Sequence, residues 1–175
     1  DYPGFNLRLA KVAKQLGIKV LFYISPQVWA WRRGRVKRIA QVVDHLAVIF
    51  PFEVDCYRET DLPVTYVGHP LTHQVKVTIE KPEFLKTHQL DTTKKIVALL
   101  PGSRKGELMR LLPTMLISAE QLAHNHADLQ FVVLQAATID DAYLSEFLAH
   151  TKLPITVVKN DSYNTMNTAD VLIAA

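Results

Sequence analysis

Short, almost uninterrupted apolar runs recur along the 175-residue chain, at 19–24, 45–50, 64–67, 95–100, 129–134, 155–158 and 171–174. A strand buried on both faces reads this way, because neither face has to alternate with polar residues. Between the runs lie stretches with helical apolar spacing, such as Phe5, Leu9, Val12, Ala13 and Leu16, closed by Gly17. Strand-like runs alternating with helix-like runs specify parallel βαβ units, hence an α/β chain. Further helices are expected at 33–43, at 51–58 behind Pro51, and at 84–88, 106–124, 140–150 and 162–168. Pro51 suits a first helical position, where the N–H it lacks would have no intrahelical partner.

The pattern weakens between 71 and 93, where polar residues and Pro82 suggest a domain crossing. Residues 1–75 are expected to form the C-terminal part of one Rossmann-like domain, 76–93 a linker, and 94–175 the first part of a second such domain. Two doubly wound domains facing each other would make a cleft at the carboxyl ends of their strands, where open α/β sheets bind ligands. The chain opens on Asp1-Tyr2-Pro3 and ends inside a strand-like run at 171–175, so both domains are expected to be incomplete.

Cys56 is the only cysteine, which excludes an intrachain disulfide framework and fits a reducing compartment. It reads as a small buried apolar residue rather than a nucleophile. No apolar stretch approaches the roughly 20 residues that span a bilayer. The net charge is +3, but residues 1–40 carry nine Lys/Arg against Asp1, a balance of +8 that leaves −5 for the remainder. Either an anionic partner or a solvated basic helix face accounts for that asymmetry.

The feature with the most local chemistry is the turn Pro101-Gly102-Ser103-Arg104, between an apolar run and a helix. Backbone N–H groups at a helix start lack intrahelical partners and point at whatever lies there. Gly102 permits close backbone approach, Ser103 can cap or donate, and Arg104 offers a fork suited to phosphate. Glu107 could orient the Arg104 guanidinium or complete a capping box. The alternative is an ordinary, well-capped strand–helix turn. It is not a Walker loop, which needs a second Gly and a Lys-Ser/Thr pair.

Trp29 and Trp31 precede Arg32, Arg33, Arg35, Lys37 and Arg38. Such a segment suits a membrane surface, a nucleic acid, or a pair of core tryptophans beside an exposed basic helix. Asp1, before the turn Pro3-Gly4, and His69, between Gly68 and Pro70, are candidate ionisable catalysts at strand or helix ends. Turn residues bonded to their own backbone are the plain alternative. His124 and His126 cannot share a helix face and no Cys joins them, which argues against zinc.

Five segments occur in a fixed order: 1–6 (Asp1-Tyr2-Pro3-Gly4-Phe5-Asn6), 25–32 (Ser25-Pro26-Gln27-Val28-Trp29-Ala30-Trp31-Arg32), Pro51-Phe52-Glu53, Val67-Gly68-His69-Pro70 and 99–104 (Leu99-Leu100-Pro101-Gly102-Ser103-Arg104). Together they resemble the lipid-A-disaccharide synthase family of GT-B glycosyltransferases, over the whole of 1–175. Residues 168–175 look like the strand leading into that family's Ser-Gly-Thr donor loop. The resemblance implies inverting transfer from UDP-2,3-diacylglucosamine to 2,3-diacylglucosamine 1-phosphate, releasing UDP, with no metal and no cofactor. It implies Asp1 as general base and Arg104 as the essential arginine. Gly102, Ser103, Arg104, His69 and Glu107 are then expected to contact substrate, and Trp29, Trp31, Arg32 and Arg33 to engage acceptor or membrane. The implied partners are a UDP-sugar donor, a lipid-linked phosphosugar acceptor and the inner-membrane surface, with no nucleic acid and a homodimer left open. The implied location is cytoplasmic and peripheral to the inner membrane, and the isolated segment is expected to be inactive.

Two rivals stand beside this. One is another UDP-sugar enzyme on the same fold, a 2-epimerase or a peptidoglycan glycosyltransferase. The other is a non-enzymatic basic module that binds nucleic acid or anionic membrane.

Overall fold

The computed structural model describes residues 2–175; Asp1 lies outside the described residues. The chain divides into two compact units, Asp1–Gln74 and Val75–Ala175, each with its own parallel sheet.

The first unit runs α1 (Pro3–Gln15), β1 (Leu21–Tyr23), α2 (Arg35–Val42), β2 (His45–Val48), a 3-10 helix Pro51–Tyr57, β3 (Val64–Tyr66) and a short 3-10 turn Pro70–His73. Its strands lie in the order β1-β2-β3, all parallel. The core gathers Leu7 and Ala10 of α1, Ile39 and Val42 of α2, Leu46 and Val48 of β2, and Tyr57. Two expectations fail here. The stripe Phe5, Leu9, Val12 and Leu16 is exposed, and α1 buries Leu7 and Ala10 instead, three residues apart on one face. β1 is not covered on both faces either. It is an outer strand whose Leu21 and Tyr23 stand exposed while Phe22 packs inward.

The second unit runs α3 (Lys81–Thr87), β4 (Lys95–Leu100), α4 (Lys105–Asn125), β5 (Leu129–Gln135), α5 (Asp141–Leu148), β6 (Ile155–Lys159), α6 (Ser162–Thr168) and β7 (Val171–Ala174). The strand order is β6-β5-β4-β7, so β4 is central and buried on both faces. Val97 and Leu99 point to one side, against Leu108, Leu112, Met115 and Leu116 of α4 and Leu144 of α5. Ile96 points to the other, against Phe84 and Leu85 of α3. The stretch 76–93 therefore contains a packed layer of this unit: α3 buries two apolar side chains beneath an otherwise polar surface. β7 is an outer strand, and Val171 and Leu172 are exposed rather than buried.

The winding matters for the site. From β4 the chain steps outward through β5 to β6, then returns to place β7 on β4's other side. The direction of winding thus reverses between β4 and β7, and ligands in open α/β sheets bind just outside the carboxyl ends of strands at such a switch point. The turn 101–104 leaves β4 at that place.

At the opposite, N-terminal edge of the sheet Asp170 joins three elements. Its carboxylate accepts the Ile96 N–H at 2.8 Å and the Lys81 ammonium at 3.3 Å. The Ile96 N–H, and after it Lys81, hold its pKa below the ordinary 3.8. Asp170→Ala leaves that amide without its acceptor and should destabilise the second unit by about 1 kcal/mol in denaturant unfolding. Because the folded value is depressed, the contribution is complete above 3.8 and is lost as pH falls through the lower folded value, so the difference should shrink in acid. A mutational cost that stays constant down through that range would contradict the assignment.

Candidate functional site

The clearest constellation lies in the second unit, at the exit of β4. Gly102 has φ +104°, in the region that favours glycine. A Cβ there would stand 2.5 Å from the Glu107 Oε2 and 2.9 Å from the Glu107 Cβ, so glycine is required on steric grounds as well. Glu107 is the third residue of α4, and its carboxylate folds back over the turn. Oε2 accepts the N–H groups of Ser103 (3.0 Å) and Arg104 (3.2 Å), and Oε1 accepts Arg104 Nη1 at 2.8 Å. The Ser103 amide, followed by the Arg104 guanidinium, holds the Glu107 carboxyl below its usual pKa.

This corrects one expectation. The amides of Ser103 and Arg104 are not unpaired, because Glu107 has taken them. The first amides of the helix proper, on Lys105 and Gly106, have no intrahelical acceptor to reach. Arg104 remains 81% exposed in its side chain, so the guanidinium keeps donors beyond the one on Glu107. The turn thus offers a fixed cation, the Ser103 hydroxyl and helix-start amides on a loop that a carboxylate has already shaped.

The adjacent connection from β5 to α5 braces this turn, a contribution the sequence reading missed. The Thr138 hydroxyl donates to the Ser103 carbonyl, and Tyr143 Oη donates to the Lys105 carbonyl at 3.3 Å. Lys105 pairs with Asp140 at 2.9 Å, which raises the lysine's pKa. Buried Gln135 donates to the Ile139 carbonyl and to Asp141 Oδ1, both at 2.8 Å, and so fixes that loop. A polar residue ending an apolar strand run was the only available hint.

In the first unit an aromatic row crosses the carboxyl ends of the strands. Trp29 meets Phe52 edge-on at 5.4 Å, Phe52 stacks with Phe50 at 5.5 Å, and Phe50 lies 5.6 Å from the His69 ring. His69 Nδ1 accepts the Leu71 N–H at 3.2 Å. A neutral ring in that state carries its proton on Nε2, so His69 presents a donor. Glu53 repeats the device of Glu107: its Oε2 accepts the N–H groups of Ile49 (3.2 Å) and Phe50 (3.0 Å), with the side chain buried. Neither tryptophan is a core residue; Trp29 is 40% and Trp31 67% exposed, and Arg32 and Arg33 are exposed beside them. Cys56 is half-buried, and burial pushes its thiol pKa up, away from nucleophile behaviour.

The family described as lipid-A-disaccharide synthetase matches this sequence over residues 1–175. The chain belongs to that family. Among curated relatives, the lipid-A-disaccharide synthase of Trichlorobacter lovleyi is 49% identical over 174 residues, covering 99% of this chain and 45% of that protein. Those of Geobacter sulfurreducens and Nitrosococcus oceani are 46% and 47% identical, covering 99% and 100% of this chain and 45% of each relative. The chain therefore spans a little under half the length of the synthases it matches. A solved chain of the Glycosylation Associate Protein (Gap123) complex from Streptococcus agalactiae aligns at 10% identity with a TM-score of 0.48, covering 88% of this chain and 32% of that one, and carries no functional weight. No helix among the described residues is long and apolar enough to cross a membrane.

The geometry of the turn gives a direct test. Gly102→Ala should destabilise the second unit by about 1–3 kcal/mol in denaturant unfolding, since it combines backbone strain with a clash. Gly106→Ala, with open space around the added Cβ, should be neutral or mildly stabilising. Equal effects from the two would show that Gly102 is not under the constraint described.

Proposed function

We propose that this chain carries part of an inverting glycosyltransferase that joins UDP-2,3-diacylglucosamine to 2,3-diacylglucosamine 1-phosphate. The products are a β-1,6-linked disaccharide 1-phosphate and UDP. The observation that carries the reading is Arg104, an exposed cation held at the switch-point end of β4 by Glu107. Membership of the lipid-A-disaccharide synthetase family supports this chemistry over an epimerase, a peptidoglycan glycosyltransferase or a nucleic-acid-binding module.

In such a transfer the acceptor hydroxyl attacks the anomeric carbon while the bond from that carbon to the diphosphate breaks. The hydroxyl's proton must go to a base, and negative charge builds on the departing UDP. Asp1 is the proposed base. Arg104 stabilises the leaving diphosphate, with the Ser103 hydroxyl beside it and Gly102 leaving room for phosphate to approach the backbone. Glu107 serves the ligand indirectly, by fixing the turn, since a carboxylate facing diphosphate would repel it. His69 donates a hydrogen bond to substrate through Nε2. The unit Asp1–Gln74 belongs to the acceptor-side domain and the unit Val75–Ala175 to the donor-side domain. Trp29, Trp31, Arg32 and Arg33 meet the acyl-bearing acceptor or the inner-membrane surface, where amphipathic rings and cations suit anionic lipid.

In a full-length synthase carrying this sequence, Arg104→Ala should lower kcat by about 100-fold or more, the scale seen when a leaving-group or oxyanion donor is removed. Asp1→Asn should lower kcat while leaving UDP affinity intact. Near-normal turnover in the first variant, or lost UDP affinity in the second, would contradict the roles given.

A further inference from the structure

At the carboxyl end of β1 the first unit holds an open cavity of about 520 Å³, within the range of about 300–1,000 Å³ typical of small-molecule sites. Its wall passes from the first turn of α1 to the start of α2 and includes Asn6, Tyr23, Gln27, Val28, Trp31 and Arg35. Ile24, a β-branched residue at φ +67°, turns the chain out of the sheet at this point. Its N–H is held by the Ala47 carbonyl at 2.9 Å, so the following segment is directed across the cavity rather than onward along the sheet.

The chemistry of the wall is specific. Val28 forms a buried apolar floor, while Tyr23 and Trp31 present half to two-thirds of their surface. The side-chain amides of Asn6 and Gln27 hydrogen-bond no other described residue, which leaves donors and acceptors open to a ligand. Arg35 is the decisive residue. It is half-buried, and among the described residues the ion pairs of this unit join Lys14 and Lys19 to Asp44 and Arg58 to Asp55, none reaching Arg35. Its charged neighbours in sequence, Arg32, Arg33, Lys37 and Arg38, are all cations and add to the same positive potential. A partly desolvated guanidinium with no acidic partner among the described residues is compensated best by an anion in the cavity.

We propose that this cavity binds a pyranose carrying a phosphate group, with Arg35 as the residue that recognises the phosphate. Amides that both donate and accept match sugar hydroxyls, aromatic faces cover the C–H face of a pyranose ring, and a guanidinium fork matches phosphate. This rests on the glycosyl-transfer reading above and assigns the acceptor's phosphate to Arg35, a residue separate from Arg104 and its turn. The arrangement makes Arg35 a specificity residue: it distinguishes a phosphorylated acceptor from a neutral sugar.

The test is ligand binding to the 175-residue chain by NMR, with glucosamine 1-phosphate, glucosamine, inorganic phosphate and UDP as separate probes. Glucosamine 1-phosphate should bind the wild-type chain more tightly than glucosamine or phosphate. Arg35→Gln should weaken it about tenfold, the scale of one charge-assisted contact, while leaving glucosamine and UDP unchanged. Arg35→Lys should retain part of the preference. Equal loss of glucosamine and glucosamine 1-phosphate in Arg35→Gln would make Arg35 a merely structural residue and overturn the proposal. Loss of UDP binding in that variant would make it a donor ligand and overturn it as well. So would an absence of glucosamine 1-phosphate binding by the wild-type chain. If UDP binds and Arg35→Gln leaves glucosamine 1-phosphate affinity intact, the phosphate assignment fails while the glycosyl-transfer reading stands.

Discussion

A glutamate carboxylate at the third position of a helix, bonded to amides at the exit of the preceding strand, is the contact on which both ends of this chain depend. Glu107 does this for the turn after β4, and Glu53 for the chain after β2. The physical problem is the same in each case: a strand ends, a helix begins, and several N–H groups lose their acceptors together. A carboxylate meets that need more strongly than a neutral cap, since a charged acceptor forms the better hydrogen bond. The consequences differ. Glu53 is buried and fixes the aromatic row that reaches His69, whereas Glu107 stays partly in solvent and grips Arg104. Each clamp leaves a shaped loop at the carboxyl end of a parallel sheet, where a ligand site is expected.

How much of this the sequence disclosed follows a clear division. Apolar runs and turn residues located every strand and most helices, because those signals are local. The turn 101–104 was legible for the same reason: glycine, serine and arginine stand between a buried run and a helix. What was hidden depends on neighbours distant in sequence. The apolar stripe of α1 has the right period, yet periodicity says nothing about which face a partner covers, and Leu7 and Ala10 are the residues buried. β1 and β7 read as strands buried on both faces because Leu21, Val171 and Leu172 are apolar, but within this chain each pairs on one side only. Thr138 and Asp140 belong to another strand–helix connection and Tyr143 to the helix that follows it, and the β5–β4 pairing brings them against Ser103 and Lys105. Segment 76–93 looked like a crossing because its two buried residues, Phe84 and Leu85, are adjacent and give no periodic pattern.

The two units divide the chemistry as their surfaces suggest. The second unit presents a cation and helix-start amides on a rigid turn, a combination suited to diphosphate. The first presents aromatic faces, amides and an arginine with no acidic partner among the described residues around an open cavity, a combination suited to a sugar with a charged substituent. The hydrogen bonds that hold the Arg104 turn suit the leaving-group role proposed for it, because such stabilisation works best from donors that need not reorganise as charge develops.

We propose that the turn after β4 receives a diphosphate. It is tested most directly by titrating the chain with UDP while following the backbone amide resonances of residues 102–106 and the Arg104 side-chain N–H signals. Saturable shifts centred on these resonances, with inorganic phosphate giving a weaker version of the same pattern, are the result this account predicts. Saturable UDP binding that leaves residues 102–106 unperturbed would contradict it.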